Sequence, residues 1–324
     1  MATKTNVHRA ILPDGKFQNP LITANGKNRA HINLKTLRTI WFNTGTLCNL
    51  TCHNCYIESS PTNDRLVYLT VGEVTNYLDE IKHKNIPTSE IGFTGGEPFM
   101  NPDFIEMLAV CFERRFRVLI LTNGMRPMMK VRKSLANIQA DHGKRLIVRV
   151  SLDHYTKVGH ELERGENSWV PVIDGLLWLS KNQFNLNVAG RTFLDEKEED
   201  VRRGYAHLFK RLELEINADD PAELVLFPEM DASLDIPEIT TECWQQLDVD
   251  PDSMMCASSR MVVKRKGALT PNVVACTLLA YDQQFELGQS LSKSRRDVLL
   301  NHPHCARFCV LGGASCSQAP KTQQ

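Results

Sequence analysis

Six times between residues 38 and 230 a short apolar run is followed by a stretch of helical periodicity, and this alternation leaves the chain few architectures. The strand-like runs are 38–43, 91–94, 118–121, 146–150, 186–189 and 223–227. Short strands separated by helices pair in parallel through right-handed crossovers, so the chain is expected to be α/β, with a full or partial (β/α)6 barrel. Helix starts support the reading. Thr70-Val71-Gly72-Glu73 has the form of a capping box and predicts a helix to about Lys84. Asn101-Pro102 reads as a second start, with Phe104, Leu108, Cys111 and Phe112 on one face. In such a barrel the chemistry gathers where the strands end at their C-terminal side. There the chain places a cysteine loop after its first strand, Gly95-Gly96-Glu97-Pro98 after the second, Thr122-Asn123-Gly124 after the third and Ser151-Leu152-Asp153 after the fourth.

Outside this repeat the pattern changes. Residues 1–36 are polar, carry the turn signals Pro13-Asp14-Gly15 and Asn25-Gly26, and read as an irregular arm. Beyond the barrel at 37–235, the segment 236–324 reads as a small cysteine-rich domain, in which 258–263 and 272–279 pair about the turn Lys264-Arg265-Lys266-Gly267. The acidic run 195–200 is most simply a solvated helix start. With 38 basic and 38 acidic residues in a chain of 324, no excess positive charge points to nucleic acid or an anionic membrane. Residues 1–20 lack the apolar core of a signal peptide, and no stretch approaches the roughly 20 apolar residues of a membrane span. A cytoplasmic location is expected, and in a reducing compartment the 10 cysteines are better suited to metal or redox chemistry than to disulfides.

Cys48, Cys52 and Cys55 lie within eight residues, spaced C-x3-C-x2-C, and leave a fourth ligand position unassigned. Structural zinc is closed by four ligands, whereas an iron-sulfur cube held by three thiolates keeps one iron open. By itself the spacing also suits a zinc knob or scattered buried thiols. The triad together with Gly95-Gly96-Glu97-Pro98 at the next strand end resembles the radical S-adenosylmethionine superfamily over roughly residues 38–230. The resemblance implies a 4Fe-4S cluster on Cys48, Cys52 and Cys55 whose open iron is chelated by S-adenosylmethionine. It further implies a 5'-deoxyadenosyl radical that takes a hydrogen atom from the substrate. The same resemblance places the methionyl amino group at Gly95, Gly96 and Glu97, the ribose near Ser151 and Asp153, the methionyl carboxylate at Arg191 and the adenine beside Phe227-Pro228. Two positions depart from the family pattern: Asn54 stands where an aromatic residue often precedes the third cysteine, and His154 replaces a glycine and is a candidate to face substrate.

The later cysteines, Cys256, Cys276, Cys305, Cys309 and Cys316, resemble the auxiliary-cluster extension called SPASM, or its shorter form called twitch. The full pattern needs more thiols, so one auxiliary 4Fe-4S cluster is expected, with Cys256 and Cys276 as ligands and two more from Cys305, Cys309 and Cys316. A zinc ribbon competes, because hairpin-borne cysteines plus a later pair also build such ribbons. Members with this extension often modify peptides, so a peptide or protein side chain leads as substrate and a small metabolite follows. A non-catalytic iron-sulfur or zinc module is the rival class. A flavodoxin- or ferredoxin-type reductant is the implied partner. Cys111 reads as a core residue, and His53, Met100 and Met125 as packing.

Overall fold

The computed structural model describes residues 15–193, 196–228 and 235–313. A short strand β1 (His31–Ile32) precedes β2 (Thr39–Asn43), α1 (Val71–His83), β3 (Glu90–Thr94), α2 (Phe104–Glu113) and β4 (Arg117–Thr122). Two helices, α3 (Arg126–Lys130) and α4 (Arg132–His142), lead to β5 (Leu146–Ser151), and α5 (Lys157–Arg164) and α6 (Trp169–Lys181) to β6 (Asn185–Thr192). Then follow α7 (Glu198–Arg211), β7 (Leu224–Pro228), α8 (Cys243–Leu247), β8 (Ser259–Val263), β9 (Asn272–Val274), β10 (Glu286–Gly288) and β11 (Val298–Leu299). All six strands expected from the apolar runs form, and β2 through β7 pair in parallel in chain order. The sheet runs β10-β9-β8-β2-β3-β4-β5-β6-β7 and is open, so the barrel is partial.

Within the strands side chains alternate between two cores, as the two-residue period of a strand requires. Ile40, Phe42, Val118 and Ile120 face the helical layer, where Cys111 is fully buried with them. Trp41, Leu119, Met261 and Val263 point to the other side, into a core built with the C-terminal segment. Thr70 caps α1 as expected, its hydroxyl accepting from Glu73 N while Glu73 accepts from Thr70 N. The second helix begins later than the Asn101-Pro102 signal predicts. Asn101 instead spends its amide on the carbonyls of Thr44 and Leu69 while its Oδ1 accepts from Asp103 N, and α2 starts at Phe104.

The C-terminal segment continues the first sheet: β8 pairs in parallel with β2, and β9 and β10 extend the edge antiparallel. The strand expected over 272–279 is shorter, because the chain leaves the ladder after Val274 and carries Cys276 toward the other late cysteines. The arm closes over this region. β1 pairs with β11, and the buried Arg29 is ion-paired with Glu238 at 2.5 Å. Its Asn25-Gly26 signal is a tight turn, with Gly26 at φ 80° and a bridge between Ile22 and Asn28. Pro13 and Asp14 lie outside the described residues. Among the described residues no helix is long and apolar enough to cross a membrane.

Gly92 lies opposite Trp41 in the β2–β3 register, and a Cβ there would stand 2.4 Å from the indole. Gly92→Ala is therefore expected to displace Trp41 and cost about 1–3 kcal/mol by overpacking, read as a lowered thermal midpoint.

Candidate active site

The strand ends meet as expected at one cavity of about 1030 Å³, lined by Cys48, Cys52, Cys55, Gly95, Gly96, Ser151, Asp153 and Arg191 among others. The cysteine loop hangs from β2 through Thr44 N to Thr94 O at 2.8 Å and Cys48 N to Ser60 O at 3.0 Å. Two backbone amides point at its sulfurs, Leu50 N to Cys48 Sγ at 3.4 Å and Ser59 N to Cys55 Sγ at 3.3 Å. Burial pushes the Cys48 thiol up to about 12 and raises Cys52 as well, opposed at Cys52 by Arg164 and Arg191. Burial thus favours the protonated thiol at Cys48 and Cys52, and metal binding there would release those protons.

Gly95 and Gly96 are required for a reason that the sequence did not show. A Cβ on Gly96 would stand 2.2 Å from Leu47 O, and one on Gly95, at φ 153°, 2.6 Å from Gly45 O. These glycines admit the base of the cysteine loop, which is fastened by Gly96 N to Gly45 O at 2.7 Å and Glu97 N to Leu47 O at 3.1 Å. Glu97 turns inward behind the cavity wall. It is 1 % exposed, and accepts from Thr122 Oγ1 and Asn123 N at 2.8 Å and Phe99 N at 3.2 Å. Burial pushes its carboxyl up to about 7 against these donors. Asn123 in turn donates to Asn49 Oδ1 at 2.9 Å beside Cys48.

Ser151 faces the cavity from the end of β5. Asp153 is clamped by Arg164 Nε at 2.6 Å and lies 3.5 Å from Arg191 Nε. Burial opposes its charge, yet the two guanidinium groups hold the carboxyl below its usual range. Arg191 sits inside β6, one residue before its end, rather than past it. Its Nη2 donates to Asn54 O at 2.9 Å, while Nε and Nη1 are buried without a hydrogen-bond partner. Nε faces the carboxylates of Asp153 and Glu163 at 3.5 and 3.8 Å, so the group left for a ligand is the Nη1 N–H, which an anionic oxygen would satisfy. Asn54, the departure from the family pattern, donates to Glu163 Oε1 at 2.9 Å and so ties the loop to α5.

His154 does not face the cavity. Its ring nitrogens lie 2.7 Å from Thr156 Oγ1 and 3.0 Å from Glu196 Oε1, and the ring stacks on Phe193. Phe227 lines the cavity with Tyr56, and both pack against Phe308. Sequence reasoning missed Arg164, Thr277 and Leu278 as lining residues. Arg164 belongs to no motif, and the other two arrive from the far end of the chain.

A second, smaller cavity is lined by Cys256, Cys276, Cys305 and Cys309 with Met254, Met255, Leu278, Leu279, Val298, Leu300 and His304. Cys305 and Cys309 project from consecutive turns of a π-helical segment, Cys305–Leu311. Cys316 lies outside the described residues. Leu278 belongs to both cavities and forms their common wall. The described cysteines are thiols, and no three His, Cys, Asp or Glu among the described residues close on one ion. Each set rings a space instead, which suits a multi-atom cluster. Burial lowers Arg260, beside this second cavity, to about 10 against the attraction of Cys256 and Cys276.

Residues 42–206, just over half of the chain, match the family model of the radical SAM superfamily. The chain belongs to that family, whose members use a 4Fe-4S cluster and S-adenosylmethionine. Among curated proteins it is similar to the antilisterial bacteriocin subtilosin biosynthesis protein AlbA of Bacillus subtilis, 30% identical over 147 residues, 45% of this chain and 31% of that protein. It is also similar to an S-adenosylmethionine-dependent nucleotide dehydratase of Selenomonas ruminantium, 31% identical over 77 residues, 24% of this chain and 26% of that protein. These matches span only about a third or less of each relative's length. Streptococcus suis SuiB bound to its precursor peptide SuiA shares the fold, with a TM-score of 0.53 at 13% identity over 87% of this chain and 67% of that one.

Gly96→Ala is expected to unseat the cysteine loop, so that anaerobic reconstitution loads at least tenfold less iron on the first site while far-ultraviolet circular dichroism stays near wild type. His160 offers a pH test. It is 0 % exposed, neither ring nitrogen has a partner, and burial lowers it to about 4. The fold favours the neutral ring, so its stabilising share is complete above about pH 6.5 and is lost as pH falls toward 4. His160→Phe should abolish a loss of up to about 3 kcal/mol in that window, measured by denaturant unfolding at successive pH values.

Proposed function

We propose that this chain reductively cleaves S-adenosylmethionine and abstracts a hydrogen atom from a peptide or protein side chain. Cys48, Cys52 and Cys55 would hold the catalytic 4Fe-4S cluster, and Cys256, Cys276 and either or both of Cys305 and Cys309 an auxiliary one. The observation that carries the reading is the meeting of three loop thiols, the Arg191 guanidinium with its unpartnered Nη1, and Ser151 around one cavity. When bound, the first cluster supplies the electron that breaks the sulfur-carbon bond of the cofactor. The protein's own residues orient and shield. Arg191 anchors the methionyl carboxylate, Asp153 and Glu163 hold Arg191 in place, and Glu97 ties the loops after β3 and β4 together. Tyr56 and Phe227 give the adenine an apolar wall.

For substrate class, the likeness to a bacteriocin biosynthesis protein over 45% of the chain supports a peptide, as does the second cysteine set across the Leu278 wall. The likeness to a nucleotide dehydratase supports a small metabolite as the second reading. A flavodoxin- or ferredoxin-type protein is the proposed electron donor.

Anaerobic reconstitution followed by S-adenosylmethionine and dithionite should release 5'-deoxyadenosine, and Cys52→Ala should abolish it; a fully loaded protein that releases none would overturn the reading. Iron and sulfide should each count about eight per chain, two cubes, rather than about four. Arg191→Met should weaken S-adenosylmethionine binding about tenfold or more by calorimetry, the loss of a charge-assisted bond. What co-purifies with Cys52→Ala, identified by mass spectrometry, separates the peptide from the metabolite.

A further inference from the structure

Arg260 is sealed inside the protein at 0 % exposure on β8. Its guanidinium donates to Ser294 O at 3.0 Å, Cys256 O at 2.6 Å, Ser259 O at 2.8 Å and Arg296 O at 3.0 Å. All four acceptors are neutral carbonyls. Among the described residues no carboxylate forms an ion pair with it; Asp297 attracts it from an exposed position without reaching it. Two other buried arginines sit against carboxylates: Arg29 against Glu238, and Arg191 against Asp153. A buried cation without a counter-charge costs several kcal/mol, and carbonyl dipoles offset only part of that. What lies beside it is the backbone of Cys256 and, past that, a cavity whose polar lining is four thiols and His304, with no Lys or Arg.

We propose that Arg260 is the built-in counter-ion of the metal-thiolate group held at Cys256, Cys276, Cys305 and Cys309. This rests on the reading of those four thiols as ligands. A two-plus iron-sulfur cube on four thiolates is a dianion and becomes a trianion on one-electron reduction, and a zinc ion on four thiolates is likewise a dianion. The shared chemistry is a tetrathiolate dianion, and the missing negative charge around Arg260 is the charge such a group brings. A fixed positive charge favours the trianion over the dianion, so Arg260 raises the potential of the second site and leaves that of the first unaltered. Arg260 thus acts through the group it faces and is a positioning residue, not a catalytic one.

The test is an EPR-monitored redox titration of reconstituted full-length protein, wild type against Arg260→Gln and Arg260→Lys. Arg260→Gln should lower the reduction equilibrium constant of the auxiliary cluster tenfold or more, ~59 mV for one electron, with the Cys48 cluster unshifted. Arg260→Lys keeps the charge and should keep the midpoint, although it loses hydrogen bonds to the carbonyls. An unshifted midpoint in Arg260→Gln at full iron content overturns the proposal, as does an equal shift in both variants. Should Arg260→Gln fail to fold, the lysine variant decides: a wild-type midpoint supports the proposal and a tenfold fall overturns it. Wild type with one zinc at the second site moves the readout to chelator competition, where Arg260→Gln should bind zinc at least tenfold more weakly and equal affinity overturns. Wild type with four iron and no second metal sinks the auxiliary-site reading itself, a result distinct from any above.

Discussion

Two backbone hydrogen bonds, Gly96 N to Gly45 O and Glu97 N to Leu47 O, lock the loop after β3 onto the loop after β2, and the geometry of the site depends on them. Each contributes only about 1 kcal/mol net. Their effect is larger than that because of what they orient. The lock presents Cys48, Cys52 and Cys55 to the cavity on one side and turns Glu97 inward on the other. Glu97 then gathers Thr122 and Asn123 from the end of β4, and Asn123 reaches back to Asn49. Three consecutive strand ends are fixed relative to one another through a single buried carboxyl, in a space that only glycine leaves open.

Charge is arranged around this frame in two contrasting ways. Around the first cavity Asp153, Glu163, Arg164 and Arg191 compensate one another, and Arg191 Nη1 is left buried without a hydrogen-bond partner. The second cavity has four thiols and His304 but no carboxylate, Lys or Arg along its wall, and Arg260 is buried behind Cys256. A low-dielectric interior makes an unpartnered N–H costly and an unpaired cation costlier still. The first site is therefore short of a hydrogen-bond acceptor and the second of a negative charge, with Leu278 lining both cavities.

The strands were legible because each run is short and mainly apolar, despite Arg149 and Asn187 inside two of them, and the Thr70 cap because its two partners are only three residues apart. Local signals of that kind survive folding. Asn101 marked the right turn, its Oδ1 accepting from Asp103 N and its carbonyl from Phe104 N, while its amide N–H groups reach two carbonyls from distant loops and regular α2 begins only at Phe104. His154 was expected near substrate from its place after Ser151-Leu152-Asp153, yet Thr156 and Glu196 draw its ring away. Gly95 and Gly96 were assigned to close approach by a cofactor; both line the cavity, and the structure adds a second close approach, by residues 44–47 of the chain itself.

By itself the sequence determined that this is a parallel α/β chain with a thiol triad at its first strand end and a glycine-rich turn at the next, since periodicity and spacing are properties of neighbours along the chain. Only the tertiary structure decided which distant groups share a wall: Arg164 with Asp153, Arg260 behind Cys256, Leu278 between two cavities, β8 beside β2. Those pairings join residues far apart in the chain, and they are selected by the burial of charge and by the room left for side chains, which no local pattern encodes.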